Sequence, residues 1–407
     1  MAKEILQAEL SNGLKILGEV SPSQMSVGMG FFVRTGARDE QPAESGVSHF
    51  LEHMMFKGTA KRSSMDITFE MGNIGAQSNA FTSEENTVYY SMVLPEYFEQ
   101  MFELLSDMLR PALDGKEFDT EKNVILEEIA VYQDRPYFYL MDNAYRDFFS
   151  PHPAGNSVLG SKESIGALSR DQMQEYFDKR YSPSNIALVA AGKFSWTELT
   201  DLAAKYCGHW KDFKTTRPLA GHVPSKKQKV YKKKNVSQTH ILFLTGGCSA
   251  QDEERYALTL LGMILGDSSG SKLYWELIDR GLADSASADN DERDGAGVFG
   301  VYASTDLGRA KQVTEIVTRI IANPLDFTVQ DLERAKNKLC ARVALDGELP
   351  MGRLMGLGME WNYRKSLTPL AQIVERVKSV SKAEIENALK RFPLKEWSEY
   401  RLVPEDT

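Results

Sequence analysis

The chain repeats itself, and that limits what it can fold into. GFFVRTGARDE at 30–40 is echoed by ILFLTGGCSAQDEE at 241–254. NTVYYSMVLPEYFEQMFELLSDMLR at 86–110 is echoed by GVFGVYASTDLGRAKQVTEIVTRII at 297–321. FDTEKNVILEE at 118–128 is echoed by FTVQDLERAKNKLCAR at 327–342. The full 407 residues are too many for one core. The expectation is an α+β protein of two similar duplicated halves, each an antiparallel-rich sheet packed with helices. We place the first half at 1–212, a linker at 213–235 and the second half at 236–407.

Local patterns support this reading. GLKILGEV, SVGMGFFVRTGAR, NTVYYSMVL and SNIALVAAGKF are β-branched, aromatic or unbroken apolar runs between Gly, Ser and Asn, and read as strands. Near Val47 to Phe56 the period becomes helical, with Phe50, Leu51, Met54 and Met55 forming the apolar set. FDTEKNVILEEIAVYQDRP reads as a long helix, acidic early and stopped by Pro136.

Bulk chemistry excludes several partners. A net charge of −9 argues against nucleic acid or an anionic membrane, each of which needs a basic footprint. The one basic run, KKQKVYKKKN at 226–235, reads as a solvated linker or edge strand, with a docking patch as the alternative. Cys207, Cys248 and Cys340 have no CxxC spacing and suit a reducing compartment. Charges break every apolar run in MAKEILQAELSNGLKIL, which therefore has no signal-peptide pattern. The expected location is cytoplasmic.

The chain has only six histidines, and two of them stand four apart in SGVSHFLEHMMFKGT. On a helix, His49 and His53 share one face with Glu52 beside them. Two neutral imidazoles and a carboxylate suit zinc, leaving a fourth position for water. Such an ion lowers the water's pKa to about 7, and a nearby carboxylate can take its proton. A chance HxxEH in a chain so poor in histidine is on the order of one in a hundred. The third ligand must come from elsewhere. Glu121 and Glu128, two helical turns apart, are the candidates, one to bind and one to support a histidine. Glu127 points elsewhere. The second half lacks these residues: Glu333 stands opposite Glu121, but Cys340 stands opposite Glu128.

RTGARDE, GVSHFLEHMMFKGT, GAQSNAFTSEENTVYY, EKNVILEEI and HPAGNSVLG together resemble the pitrilysin-type (inverzincin, HxxEH) zinc metallopeptidases over essentially the whole chain. Within that family the likeness is to bacterial processing-protease-like subunits and to the β subunit of the mitochondrial processing peptidase. The resemblance implies zinc held by His49, His53 and Glu128, with a catalytic set of Glu52 as general base and Glu121 supporting a ligand. It implies that Asn79, Ala80 and Phe81 bind substrate backbone along a strand edge. His152 matches a family position of structural kind.

By the same resemblance, the chain forms half of a clamshell chamber that encloses peptides or unfolded segments. Self-sufficient members carry an arginine and, seven residues later, a tyrosine in the second half. ELIDRGLADSAS instead places Leu277 and Asp284 there, with Arg280 out of register. The expectation is a dimer in which a homologous subunit without metal supplies both groups, a heterodimer ahead of a homodimer. A peptide-binding or assembly subunit is the alternative.

Overall fold

A computed structural model describes residues 4–219 and 221–405. Six strands form the first sheet: β1 (Ile5–Glu9), β2 (Lys15–Val20), β3 (Val27–Val33), β4 (Gln77–Thr82), β5 (Thr87–Val93) and β6 (Ile186–Gly192). Their order is β1-β2-β6-β3-β5-β4. Five form the second: β7 (Gln228–Lys233), β8 (Thr239–Gly246), β9 (Ser285–Arg293), β10 (Ala296–Thr305) and β11 (Ser398–Pro404), ordered β7-β11-β8-β10-β9.

The two orders superpose. In each sheet one pair is parallel, β2 with β6 and β7 with β11, and every other neighbour is antiparallel. Thus β7, β11, β8, β10 and β9 repeat β2, β6, β3, β5 and β4, with β1 as an addition. The fold is α+β, with two duplicated sheets each packed with helices. The basic run forms β7, an edge strand. No described helix is long and apolar enough to cross a membrane.

The central strand β3 is buried at every residue because both faces of its sheet are covered. Successive side chains point to opposite faces. Phe31 accordingly packs edge-on against Phe102 among the helices of one layer. Phe32 faces the other way, toward Leu354 and Leu357.

Those two leucines come from the helix Pro350–Arg364, far along the chain. It lies so close to β3 that a Cβ on Gly358 would fall 2.3 Å from the Phe32 ring. Arg353 on the same helix holds Glu19 of β2 through Nε at 2.9 Å and Nη2 at 2.5 Å, both side chains almost wholly buried. The counterpart helix, Pro136–Phe149, buries Leu140, Ala144 and Phe148 at helical spacing among Leu242, Leu244 and Leu402 of the second sheet. Each half therefore lends a helix, started by proline at its first position, to the other's sheet. One compact unit comprises residues up to Ala130, Asn156–Pro218 and Leu345–Pro369. The other comprises Val131–Gly155, Leu219–Ala344 and the chain from Leu370 on.

Candidate metal centre

The helix carrying the two histidines runs from Val47 to Met54. Phe50, Leu51, Met54 and Met55 anchor it in the core at 0–1% exposure. Its start is unusually constrained. Gly46 has φ +91°, and a Cβ there would meet Ile165 Cδ1 and Leu159 O at 2.7 Å. Both Glu40 carboxyl oxygens accept from the first amides, Oε2 from Gly46 N at 2.7 Å and Oε1 from Ser48 N at 2.8 Å. This replaces the Ser, Thr or Asp cap that the sequence lacks. Burial pushes the Glu40 carboxyl up to about 8, against the pull of those amides.

His49 and His53 present their rings 4.7 Å apart at 70°. Opposite them lies Glu128, on the helix Gly115–Gln133. Its Oε2 is 3.7 Å from His49 Nε2 and 3.6 Å from His53 Nε2. These separations exceed a hydrogen bond. They approach the edge of a tetrahedron of zinc ligands, about 3.4 Å for bonds of about 2.1 Å. Ligand atoms of the three residues lie within 4.8 Å of one another, the only such group among the described residues. Burial, and to a lesser degree His53, drives the His49 imidazole down to about 3, leaving it neutral as a metal ligand must be. Donor types, spacing and the neutral His49 fit zinc.

The two imidazoles are supported differently. His53 Nδ1 meets Glu121 Oε1 at 2.8 Å, which directs Nε2 toward Glu128. The other Glu121 oxygen, Oε2, holds Lys57 Nζ at 2.6 Å. His49 Nδ1 is buried and has no hydrogen-bond partner among the described residues.

Glu52 lies on the same helix at 8% exposure. Burial raises its carboxyl above the usual range, opposed by a hydrogen bond from Thr82 Oγ1 to Oε2 at 2.5 Å. A carboxyl beside the cluster is placed to accept a proton. Thr82 ends β4, an edge strand paired on one side only, with β5. Asn79, Ala80 and Phe81 precede it; Asn79 is exposed and its Oδ1 accepts from Ala80 N at 2.9 Å. Glu127 is exposed.

Sequence reasoning passed over Glu40, Lys57 and Thr82. Lys57 did carry a signal, since 49, 53 and 57 continue one four-residue series. His152 belongs to the second unit, where its Nδ1 accepts from Ala154 N and its ring packs by Phe149. Also in that unit, Leu277 is fully buried in an apolar core. Asp284 is exposed and accepts from Gln238 Nε2 at 2.6 Å. Arg280 pairs with Glu276 on the surface. These two positions therefore offer no cation and no phenol.

A duplicated α+β fold with an HxxEH helix facing a distant glutamate defines a class of metallopeptidase-like proteins. Residues 15–162 match the family model described as Insulinase (Peptidase family M16), and 167–339 match the Peptidase M16 inactive domain. The chain belongs to peptidase family M16. It is 31% identical over 341 residues to an uncharacterized zinc protease of Bacillus subtilis, covering 83% of each chain. To one of Streptomyces coelicolor it is 32% identical over 336 residues, covering 80% of this chain and 72% of that one. A Helicobacter pylori protease of known crystal structure shares the fold with a TM-score of 0.91. That match has 20% identity and covers 99% of this chain and 100% of the other.

Proposed function

We propose that the chain is a zinc-dependent endopeptidase of the processing-peptidase type, the metal-bearing subunit of a two-subunit enzyme. The observation that carries this reading is the convergence of His49 Nε2, His53 Nε2 and Glu128 Oε2, with the raised Glu52 carboxyl alongside. Zinc held there would supply Lewis acidity, activating a water and polarising the scissile carbonyl. Glu52, held at Oε2 by Thr82, takes the proton of the attacking water and returns it to the leaving amine. Glu121 holds the His53 ring from behind. A peptide segment adds to the open edge of β4, where Asn79, Ala80 and Phe81 meet its backbone, as the second strand partner of β4 beside β5.

Leu277 and Asp284 support the two-subunit form, since neither can bind or polarise a carbonyl from the second half. A homologous chain with arginine and tyrosine would supply both groups. The same two residues favour the second reading, a peptide-binding or assembly subunit with little hydrolysis of its own. Purified protein is expected to hold about one zinc, and Glu52→Gln to retain it while losing cleavage of a fluorogenic peptide. Cleavage appearing only on mixing with the homologous chain supports the two-subunit enzyme. Zinc content unchanged by His49→Ala or His53→Ala would remove the assignment. Zinc binding without cleavage, alone or mixed, would favour the binding role.

A further inference from the structure

We infer that Lys57 is a positioning residue for the metal centre, acting through Glu121 to fix the aim of His53; the inference rests on the zinc reading above. Glu121 is a buried carboxylate with 4% of its side chain exposed, and each oxygen is committed to one partner. Oε1 faces His53 Nδ1 at 2.8 Å, and Oε2 faces Lys57 Nζ at 2.6 Å. A carboxylate removed from water needs both its lone-pair demand and its charge met locally. The imidazole N–H meets part of the first; the ammonium meets the rest and the charge.

The ammonium also sets direction. Pulled from one side by Lys57 and engaged on the other by His53, the Glu121 carboxylate is confined to one orientation. That orientation keeps the proton on His53 Nδ1 and the lone pair of Nε2 toward Glu128 Oε2, 3.6 Å away. Lys57 sits just past the histidine helix, in a turn fixed by its amide donating to Met54 O at 3.1 Å. Its side chain is 30% exposed, so the stem crosses the protein surface while the head reaches inward. Among the described residues His49 Nδ1 has no partner, so no such chain stands behind it. The alignment of the pair therefore depends on the His53 side. Without Lys57, the freed Glu121 oxygen turns toward solvent and the ring loses its fixed acceptor.

The test is zinc affinity of the full chain, measured by competition with a chromophoric chelator, beside the melting midpoint of the metal-free protein. Lys57→Met is expected to weaken zinc roughly tenfold or more, the effect of losing a partner behind a ligand. Lys57→Arg, which restores a cation, is expected to stay within about threefold of the parent. Lys61→Met is the control, removing the same charge from a side chain 63% exposed, and should leave affinity unchanged. If Lys57→Met misfolds, Lys57→Gln takes its place, keeping a donor without the charge and still weakening zinc. A lowered melting midpoint with unaltered zinc affinity would make Lys57 a simple ion pair and overturn the inference. Absence of zinc binding by the parent protein would instead overturn the metal reading itself, so the two failures are distinct.

Discussion

Thr82 Oγ1 donates to Glu52 Oε2 across 2.5 Å, joining the last residue of edge strand β4 to the candidate general base. The strand that would take up substrate and the group that would move the proton are thus one hydrogen bond apart. A hydrogen bond to a charged group is worth about 1.5–3 kcal/mol, or roughly 10–100-fold in rate if it operates mainly in the transition state. Thr82→Val should lower kcat in that range in the assembly that cleaves a fluorogenic peptide. Thr82→Ser should retain most of the rate, and zinc content should not change. An unaltered kcat in Thr82→Val would show that Glu52 is aimed by other contacts.

Zinc should stabilise the fold as well as serve chemistry. Its proposed ligands lie on two separate helices, Val47–Met54 and Gly115–Gln133, so an ion bound only by the native state ties them together. Zinc at about 100 times its Kd adds about 2.7 kcal/mol by mass action. Thermal melts with and without zinc should therefore separate for the parent protein. They should coincide for His53→Ala and for Glu128→Ala.

Glu40 makes stability depend on pH in a direction opposite to most carboxylates. Its carboxyl is raised from 4.5 to about 8, by burial first and with Asp39 adding to the effect. Between those values the folded state keeps a proton that the unfolded chain has released. The Glu40 contribution is therefore fully present below pH 4.5 and is lost as pH rises through about 8. Ser48, which donates its amide to Glu40, also bonds Tyr176 Oη at 2.6 Å. Glu40→Gln puts an NH2 against one of two helix amides and should cost about 1–2 kcal/mol, the size of a lost cap. Melting midpoints from pH 5 to 8 should fall less steeply in Glu40→Gln than in the parent. Parallel profiles would show that Glu40 does not titrate in this window.

How far the sequence reached depended on whether a signal was local. β3, β5 and β6 were readable because buried strands are continuous apolar runs, and the histidine helix because its apolar residues recur at helical spacing. Strand β9, SASADNDER, was not, since Asp and Asn disfavour strands and its extended form comes from pairing with β10 and packing under the helix Arg255–Gly266. The stripe Leu140, Ala144 and Phe148 marks a buried face without saying what buries it, so the exchange of helices between sheets was invisible. At the site, His49, Glu52 and His53 declare themselves through spacing. Glu121 and Glu128 stood out as candidates by their two-turn spacing, but which of them binds required the family resemblance, because nothing local says which carboxylate comes to meet the histidines. Thr82 was hidden because a hydroxyl at a strand end has many roles, and its acceptor lies thirty positions back.

The exchanged helix Pro350–Arg364 offers the sharpest stability test. Its Arg353 grips Glu19 with Nε and Nη2 where both side chains are about 95% buried, so neither charge has water to fall back on. Removing one partner strands the other, and Arg353→Ala should cost about 3–5 kcal/mol. Replacing both by apolar residues of similar volume removes the stranded charge, so Glu19→Met with Arg353→Leu should recover most of that loss. Because the pair lies on β2 and the exchanged helix, away from the metal centre, zinc affinity measured at a temperature where each variant is folded should match the parent. Denaturant melts of both single variants and the double variant form the cycle. A double variant as unstable as the worse single one would mean that the apolar pair cannot pack there. The helix would then be held by the fit of Leu354, Leu357 and Gly358 over Phe32 and by a geometry that only the ion pair satisfies.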